Sequence, residues 1–167
     1  ESGKGRVHPN LHTSLVIDPP DGRIPFTPEG RARWQATPDL TTERITGKTL
    51  AANTWHDRAL QERCITSDTM FVPNSFYNNY HRIFQSPGYV VIVSESMHDA
   101  RVVPLDGRPR LGEGIRQWTG DRRGWWDGNT LVVETTNVND QRRFQGSTKD
   151  VHLLERFTRL DDGTISY

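Results

Sequence analysis

Cysteine is almost missing from this chain. Cys64 is the single one in 167 residues, so no internal disulfide can form and no disulfide framework holds the fold. Lysine is scarce as well: there are 3 Lys against 18 Arg, and the 21 basic residues balance 21 acidic ones to a formal net charge of zero. A general nucleic-acid binder carries a basic excess, and a polybasic membrane anchor does too, so both classes are excluded. No run approaches the roughly 18 apolar residues that a membrane span needs. Leu, Ile, Val and Phe together make only 37 of the 167 residues, and mean hydropathy is -0.73. Disorder would need high net charge in addition. The expectation is a folded, thinly cored domain that is helped by a partner chain.

Several chemical motifs are also lacking. There is no Gly-x-Ser-x-Gly nucleophile elbow. Gly112-Glu113-Gly114 has neither the third glycine nor the following helix of a phosphate-binding loop. The one His pair at helical metal spacing, His8 and His12, encloses Pro9, so neither metal nor cofactor is expected. Cys64 reads as packing near a helix end rather than as a nucleophile. The arginine excess has two readings: a GC-rich genome, or the use of bidentate Arg–carboxylate pairing inside the fold or at an interface.

What is present divides the chain in two. Residues 1–75 are rich in turn formers and read as an extended arm with two short helices. Asp18-Pro19-Pro20-Asp21-Gly22 breaks regular structure, because proline removes a backbone donor and restricts its predecessor. Thr27-Pro28-Glu29 has the marks of a helix start, with a capping hydroxyl, proline in the first helical position and an acid in the first turn. That helix is expected to reach about Ala36. A second is expected from Trp55 to Arg63. Residues 76–167 carry short apolar runs between tight-turn signals, the pattern of antiparallel strands. The expected strands are Tyr80–Gln85, Tyr89–Met97, Ala100–Leu105, Ile115–Thr119, Thr130–Asn137, Val151–Arg159 and Thr164–Tyr167. Ser86-Pro87-Gly88, Asp106-Gly107, Asp127-Gly128 and Asp162-Gly163 supply the turns. The fold class is mainly β, an antiparallel barrel or strongly curved sheet. The strand-like Thr164–Tyr167 predicts an open edge that another chain covers.

The motifs carry a resemblance. Asp18-Pro19-Pro20-Asp21-Gly22-Arg23-Ile24-Pro25, Gly88-Tyr89-Val90-Val91-Ile92, His98-Asp99-Ala100-Arg101, Pro104-Leu105-Asp106-Gly107-Arg108-Pro109 and the run from Gly124 to Thr135 together resemble a widespread bacterial family. Its members are often exported, and it brings no assigned activity. With a chain that begins Glu1-Ser2-Gly3, this gives the expectation of a removed leader or a trimmed start and a periplasmic or extracellular location. The Gly-x-Trp-x-Gly hairpin, Gly124 to Gly128, is similar to strands of lipocalin-type barrels.

Alternation along strands nominates the chemistry, since residues two apart share a face. Glu95, Glu134 and Glu155 each fall in an apolar row and are expected to point into one interior. A buried carboxylate needs a partner, and Arg101 and Arg82 are the natural ones. Two readings follow: a polar pocket in which a glutamate serves as acid or base while Arg holds an anionic group, or structural Glu–Arg pairs in a thin core. His98 falls at a rim, as a titrating group or as a turn residue. Tyr80, Trp118 and Trp126 are candidate ligand platforms. Of the neighbours Trp125 and Trp126, one is expected to face inward as core. The leading function is therefore binding of a small organic ligand, extended by metal-free acid–base catalysis as a lyase, isomerase or hydrolase. The alternative is an exported structural protein that forms an oligomer or filament through its arm and open sheet edge. No nucleic acid and no membrane insertion are expected.

Overall fold

The computed structural model describes residues 15–36, 53–55, 58, 60, 62–66, 78–140 and 146–167. Helix α1 spans Pro28–Ala36, with the start that its sequence dictates: the Gly30 N–H donates to Thr27 Oγ1 at 3.0 Å. It is tied to a distant turn by Arg33 Nε, which donates to the Gly146 carbonyl at 2.9 Å. There the Gly30 carbonyl lies where a side chain on Gly146 would begin, and Gly146 has a φ of +78°. Glycine is the residue that allows both. Among the described residues of the second expected helix, Trp55–Arg63, none is in an α-helix: Trp55 is in a 3-10 turn and its carbonyl accepts the Arg58 N–H, while Leu60, Glu62 and Arg63 lie in turns and the Leu60 carbonyl accepts the Ile65 N–H. Its apolar stripe was weak, which left little to bury. Of the arm expected over residues 1–75, residues 1–14, 37–52, 56–57, 59, 61 and 67–75 lie outside the described residues.

The chain is otherwise mainly β. Strands β1 His81–Ser86, β2 Tyr89–Ser94 and β3 Ala100–Pro104 form one antiparallel sheet in the order β1-β2-β3. Strands β4 Asp121–Asp127, β5 Thr130–Thr136, β6 Leu153–Arg159 and β7 Ile165–Ser166 form a second, in the order β4-β5-β6-β7. Hydrogen bonding is interrupted between β3 and β4, so the described strands form two sheets and not a closed barrel. Asp106-Gly107, expected as a hairpin turn, instead closes β3 and begins a long crossing segment. Asp106 Oδ1 accepts the Arg108 N–H at 3.2 Å, an Asx turn that satisfies the backbone locally.

Two further corrections concern strand limits. Ile115–Thr119 is not a strand; Gln117 makes an isolated bridge to Val138. The strand that pairs with β5 is β4, whose Asp-Arg-Arg-Gly start hides it from a hydrophobicity pattern. The hairpin register pairs Asp127 with Thr130, so the loop residues are Gly128 and Asn129, one step later than the Asp-Gly dipeptide suggested. Gly128 takes the positive φ, +59°.

The two sheets pack through Val90, Ile92 and Val103 on one side and Leu131, Val133 and Phe157 on the other, with Leu105 against them. Antiparallel register stacks the inward residues of each sheet in rows, because directly opposed residues share a face. One end is apolar: Val90 is opposite Val103, and Leu131 is opposite Phe157. The middle pairs Ile92 with Arg101 and Val133 with Glu155. At the other end His81 is opposite Ser94, and Arg122 is opposite Thr135. The interior therefore grades from hydrocarbon to polar along its length.

Gly124 permits this approach. A Cβ there would lie 2.6 Å from Val103 Cγ1 and 2.8 Å from Leu105 Cδ2. Gly124→Ala should destabilise the fold by about 1–3 kcal/mol, the usual cost of overpacking a filled core. Urea unfolding measures it, with Val102→Ala on the outward face as a control that should change stability by about 0.5 kcal/mol or less.

Candidate functional site

The inward face holds a buried ion pair. Arg101 and Glu155 are 4% and 3% exposed, and Arg101 Nη1 donates to both Glu155 carboxylate oxygens at 3.1 Å. Strand β3 brings the arginine, with Val103 next in its inward row, and β6 brings the glutamate, between Leu153 and Phe157. The Tyr167 hydroxyl donates to Glu155 Oε1 at 3.0 Å, and its ring stacks on Phe157 with centroids 4.8 Å apart. In the next row His81 Nδ1 and Ser94 Oγ are 3.1 Å apart. The Thr135 hydroxyl of that row is fully buried and has no hydrogen-bond partner. Sequence reasoning passed over Ser94, Thr135 and Tyr167, because hydroxyls on strands are common and only the opposing sheet makes these inward.

The other two glutamates are elsewhere. Glu95 follows β2 and is exposed; its backbone N–H donates to the Tyr80 carbonyl at 2.9 Å. Its row, with Val91 and Val93, is the outward one, because Val90, Ile92 and Ser94 are the buried residues of β2. Both rows of β2 are apolar, so alternation alone did not tell inside from outside. Glu134 lies on the outward face of the second sheet. It accepts from Arg110 Nη2 and sits 2.6 Å from His152 Nε2. The three glutamates thus occupy three environments rather than one interior.

The remaining candidates also separate. Arg82 is exposed on β1, and Tyr80 is 81% exposed. His98 is exposed, in a short 3-10 turn over Ser96–His98, at a φ of +53°. Trp126 belongs to the inward row, but it sits by the hairpin and is 48% exposed; Trp125 faces outward at 44%. Neither is core. Trp118 is half-buried, with the Arg63 guanidinium 5.7 Å from its ring centroid and 4.4 Å from that of Trp55. Cys64 is exposed rather than packed. His8, His12, His56 and Tyr77 lie outside the described residues. Among the described residues no group of three His, Cys, Asp or Glu could hold a metal ion.

A second charged network fastens the segment between β3 and β4 over the outward face of the second sheet. Arg110 Nη1 donates to Thr136 Oγ1 at 2.9 Å. Asp121 accepts the Leu111 N–H at 2.9 Å and Arg123 Nη1 at 2.5 Å. Partial burial pushes the Glu134 carboxyl up, but His152 and Arg110 outweigh it and hold it below the ordinary carboxylate value. On exposed ground, hydrogen bonds from Arg108 bring Asp106 down to about 2.

Two outcomes follow. Removing one partner of the buried pair, by Glu155→Gln or Arg101→Met, should cost about 3–5 kcal/mol, because the other is left desolvated and uncompensated. Replacing both by Arg101→Met with Glu155→Leu should cost far less than the sum; a double-mutant cycle in urea measures the difference. For Glu134 the folded carboxyl titrates lower than the unfolded one. Its contribution is therefore complete above the unfolded value of about 4.3 and is lost as pH falls through the folded one. Glu134→Gln should lower stability at pH 7 and flatten the acid limb below about pH 4.3, read from urea midpoints across pH.

Comparison of the chain with protein-family models, with curated proteins and with solved structures finds no match.

Proposed function

We propose that this chain binds a small organic ligand between its two sheets, on the polar side of the Glu155–Arg101 pair. The observation that carries this reading is the placement of a charged pair in the middle of a core that is short of hydrocarbon, with the hydroxyl of the exposed Tyr167 reaching it. Burying charge is costly, and a hydrophobic pair of similar volume would stabilise such a core at least as well. The partnerless, buried Thr135 hydroxyl supports the same reading, since an unmet hydroxyl costs about 1–3 kcal/mol. Glu155 is the one carboxylate on the inward rows of the described strands. Metal-free proton transfer by a lyase, isomerase or hydrolase at this face has Glu155 as its carboxylate. The anionic group expected against Arg101 is supplied by the protein itself, as Glu155. Among the described residues no helix is long and apolar enough to cross a membrane. The family resemblance puts such a ligand in the periplasm or outside the cell.

A second reading has its own observation. On the outward face of the first sheet Phe84, Val91 and Val102 lie side by side, and Phe84 and Val102 are each 51% exposed. An antiparallel sheet normally shows polar residues there. Copies of this chain that pack through that face and their free edges would give the oligomer or filament.

The test is a ligand-observed NMR screen of hydroxylated, carboxylated and apolar small molecules. It compares wild type, the double variant Arg101→Met with Glu155→Leu, and Glu134→Gln as an outward-face control. The expected result is ligands that bind wild type and the control and are lost in the double variant. Ligands that survive in the double variant overturn the proposal. No ligands at all, with sedimentation showing an oligomer that Phe84→Asp dissociates, moves the assignment to assembly.

A further inference from the structure

We infer that two copies of this chain join edge to edge through β1, about a two-fold axis that sets Phe84 opposite Phe84 of the second copy. The two three-stranded sheets then run on as one. The inference rests on the assembly reading above and names its interface and its partner. It does not depend on the ligand reading.

The phase of the hydrogen-bond ladder shows which backbone groups β1 offers. The two-residue loop Pro87-Gly88 joins β1 to β2 and sets Ser86 opposite Tyr89, so these two exchange both of their bonds. The Glu95 N–H on the Tyr80 carbonyl continues that phase, and the Ser94 N–H on the Asp99 carbonyl shows the alternate residues of β2 bonding to the β3 side. Arg82, Phe84 and Ser86 therefore turn their N–H and C=O toward β2. Ile83 and Gln85 turn theirs the other way, and among the described residues no strand pairs with that edge. Natural edges are blunted by lysine, proline or a bulge. Strand β1 has none of these, and its pairs with β2 run without a break from His81 to Ser86. It is also bare on both faces: Phe84 is 51% exposed on the outward one and Ile83 40% on the inward one.

The strand fits its own copy. With Phe84 opposite Phe84 of the second copy, Ile83 of each chain lies opposite Gln85 of the other. Those are the residues whose bonding groups point away from β2, so each such pair exchanges two backbone bonds. The two Phe84 rings then form a non-hydrogen-bonded pair, where cross-strand side chains come closest and an aromatic pair stabilises the sheet. Arg82 of each chain lies opposite Ser86 of the other. The strand's one arginine thus meets a hydroxyl that accepts from it, and the two cations stay apart. The outward row Val102-Val91-Phe84 continues directly into the same row of the second copy. Both chains present the same surface, so the contact closes as a dimer and does not propagate into a filament.

The experiment uses the full chain as wild type, Gln85→Pro and Gln85→Ala, with sedimentation equilibrium for the dimer constant and amide hydrogen exchange for the interface. Proline at position 85 removes an N–H that β2 does not use, which is where an edge strand tolerates it. Wild type should dimerise, with the Ile83 and Gln85 amides exchanging more slowly as concentration rises. Gln85→Pro should weaken the dimer about tenfold or more, the scale of one lost donor from each copy, and Gln85→Ala, which keeps the N–H, by about twofold or less. A wild type that stays monomeric to about 1 mM, the weak end of specific association, overturns this inference and the assembly reading together. An oligomer that withstands Gln85→Pro but dissociates with Phe84→Asp overturns the inference alone and leaves packing through the outward face. If Gln85→Pro does not fold, wild-type exchange decides: an oligomer in which the Ile83 and Gln85 amides exchange at the same rate at every concentration overturns the inference.

Discussion

The Arg101–Glu155 pair constrains everything around it. It joins β3 of one sheet to β6 of the other at the middle of the interior, with both groups almost wholly removed from water. Such a pair tolerates only registers that keep both partners inward. A slip of one residue in either strand would turn one charge to solvent and bury the other alone, at a cost of several kcal/mol. The apolar cluster of Val90, Ile92, Val103, Leu131, Val133 and Phe157 supplies the driving force for packing, and the ion pair selects the alignment in which that packing happens.

The outward face of the second sheet is organised by the same chemistry with less burial. Arg110 reaches Glu134 and Thr136, Arg123 reaches Asp121, and Asp121 also holds the Leu111 N–H. These contacts lay the segment between β3 and β4 over the strands, and Val132 beneath is fully buried although its row faces outward. Arginine is suited to this work because its planar fork satisfies several acceptors at once, including carbonyls such as those of Pro109 and Lys149. The arginine bias of the composition thus has structural use throughout the second region.

Hydrocarbon and polar groups are segregated along the interior rather than mixed. The apolar end holds the sheets together, and the polar end carries His81, Ser94, Arg122 and Thr135 around the charged pair. A thin core accepts this because the sheets need dense packing along only part of their length. Tyr167 spans the boundary, with its ring on the apolar side against Phe157 and its hydroxyl on the polar side at Glu155.

Local features were determined by the sequence alone. Thr27, Pro28 and Glu29 start a helix wherever it docks, because a cap acts on its own first turn. Pro87-Gly88 makes a hairpin because a two-residue loop has few conformations. The mainly β class follows from short apolar runs between such turns, and Glu155 and Arg101 were each legible as a charge in an apolar row, though not which of three glutamates would meet which of two arginines. Tertiary structure decided the rest. Which row of Tyr89–Ser94 faces inward depended on the opposing sheet, since both rows are apolar, and this is why Glu95 went to solvent. Strand β4 was hidden because its inward row includes Arg122 and Gly124, the glycine serving close approach to Val103 and Leu105 rather than hydrophobicity. Barrel closure could not be read from the strands one by one, because it depends on pairing between β3 and β4, across an intervening segment that lies over the second sheet instead.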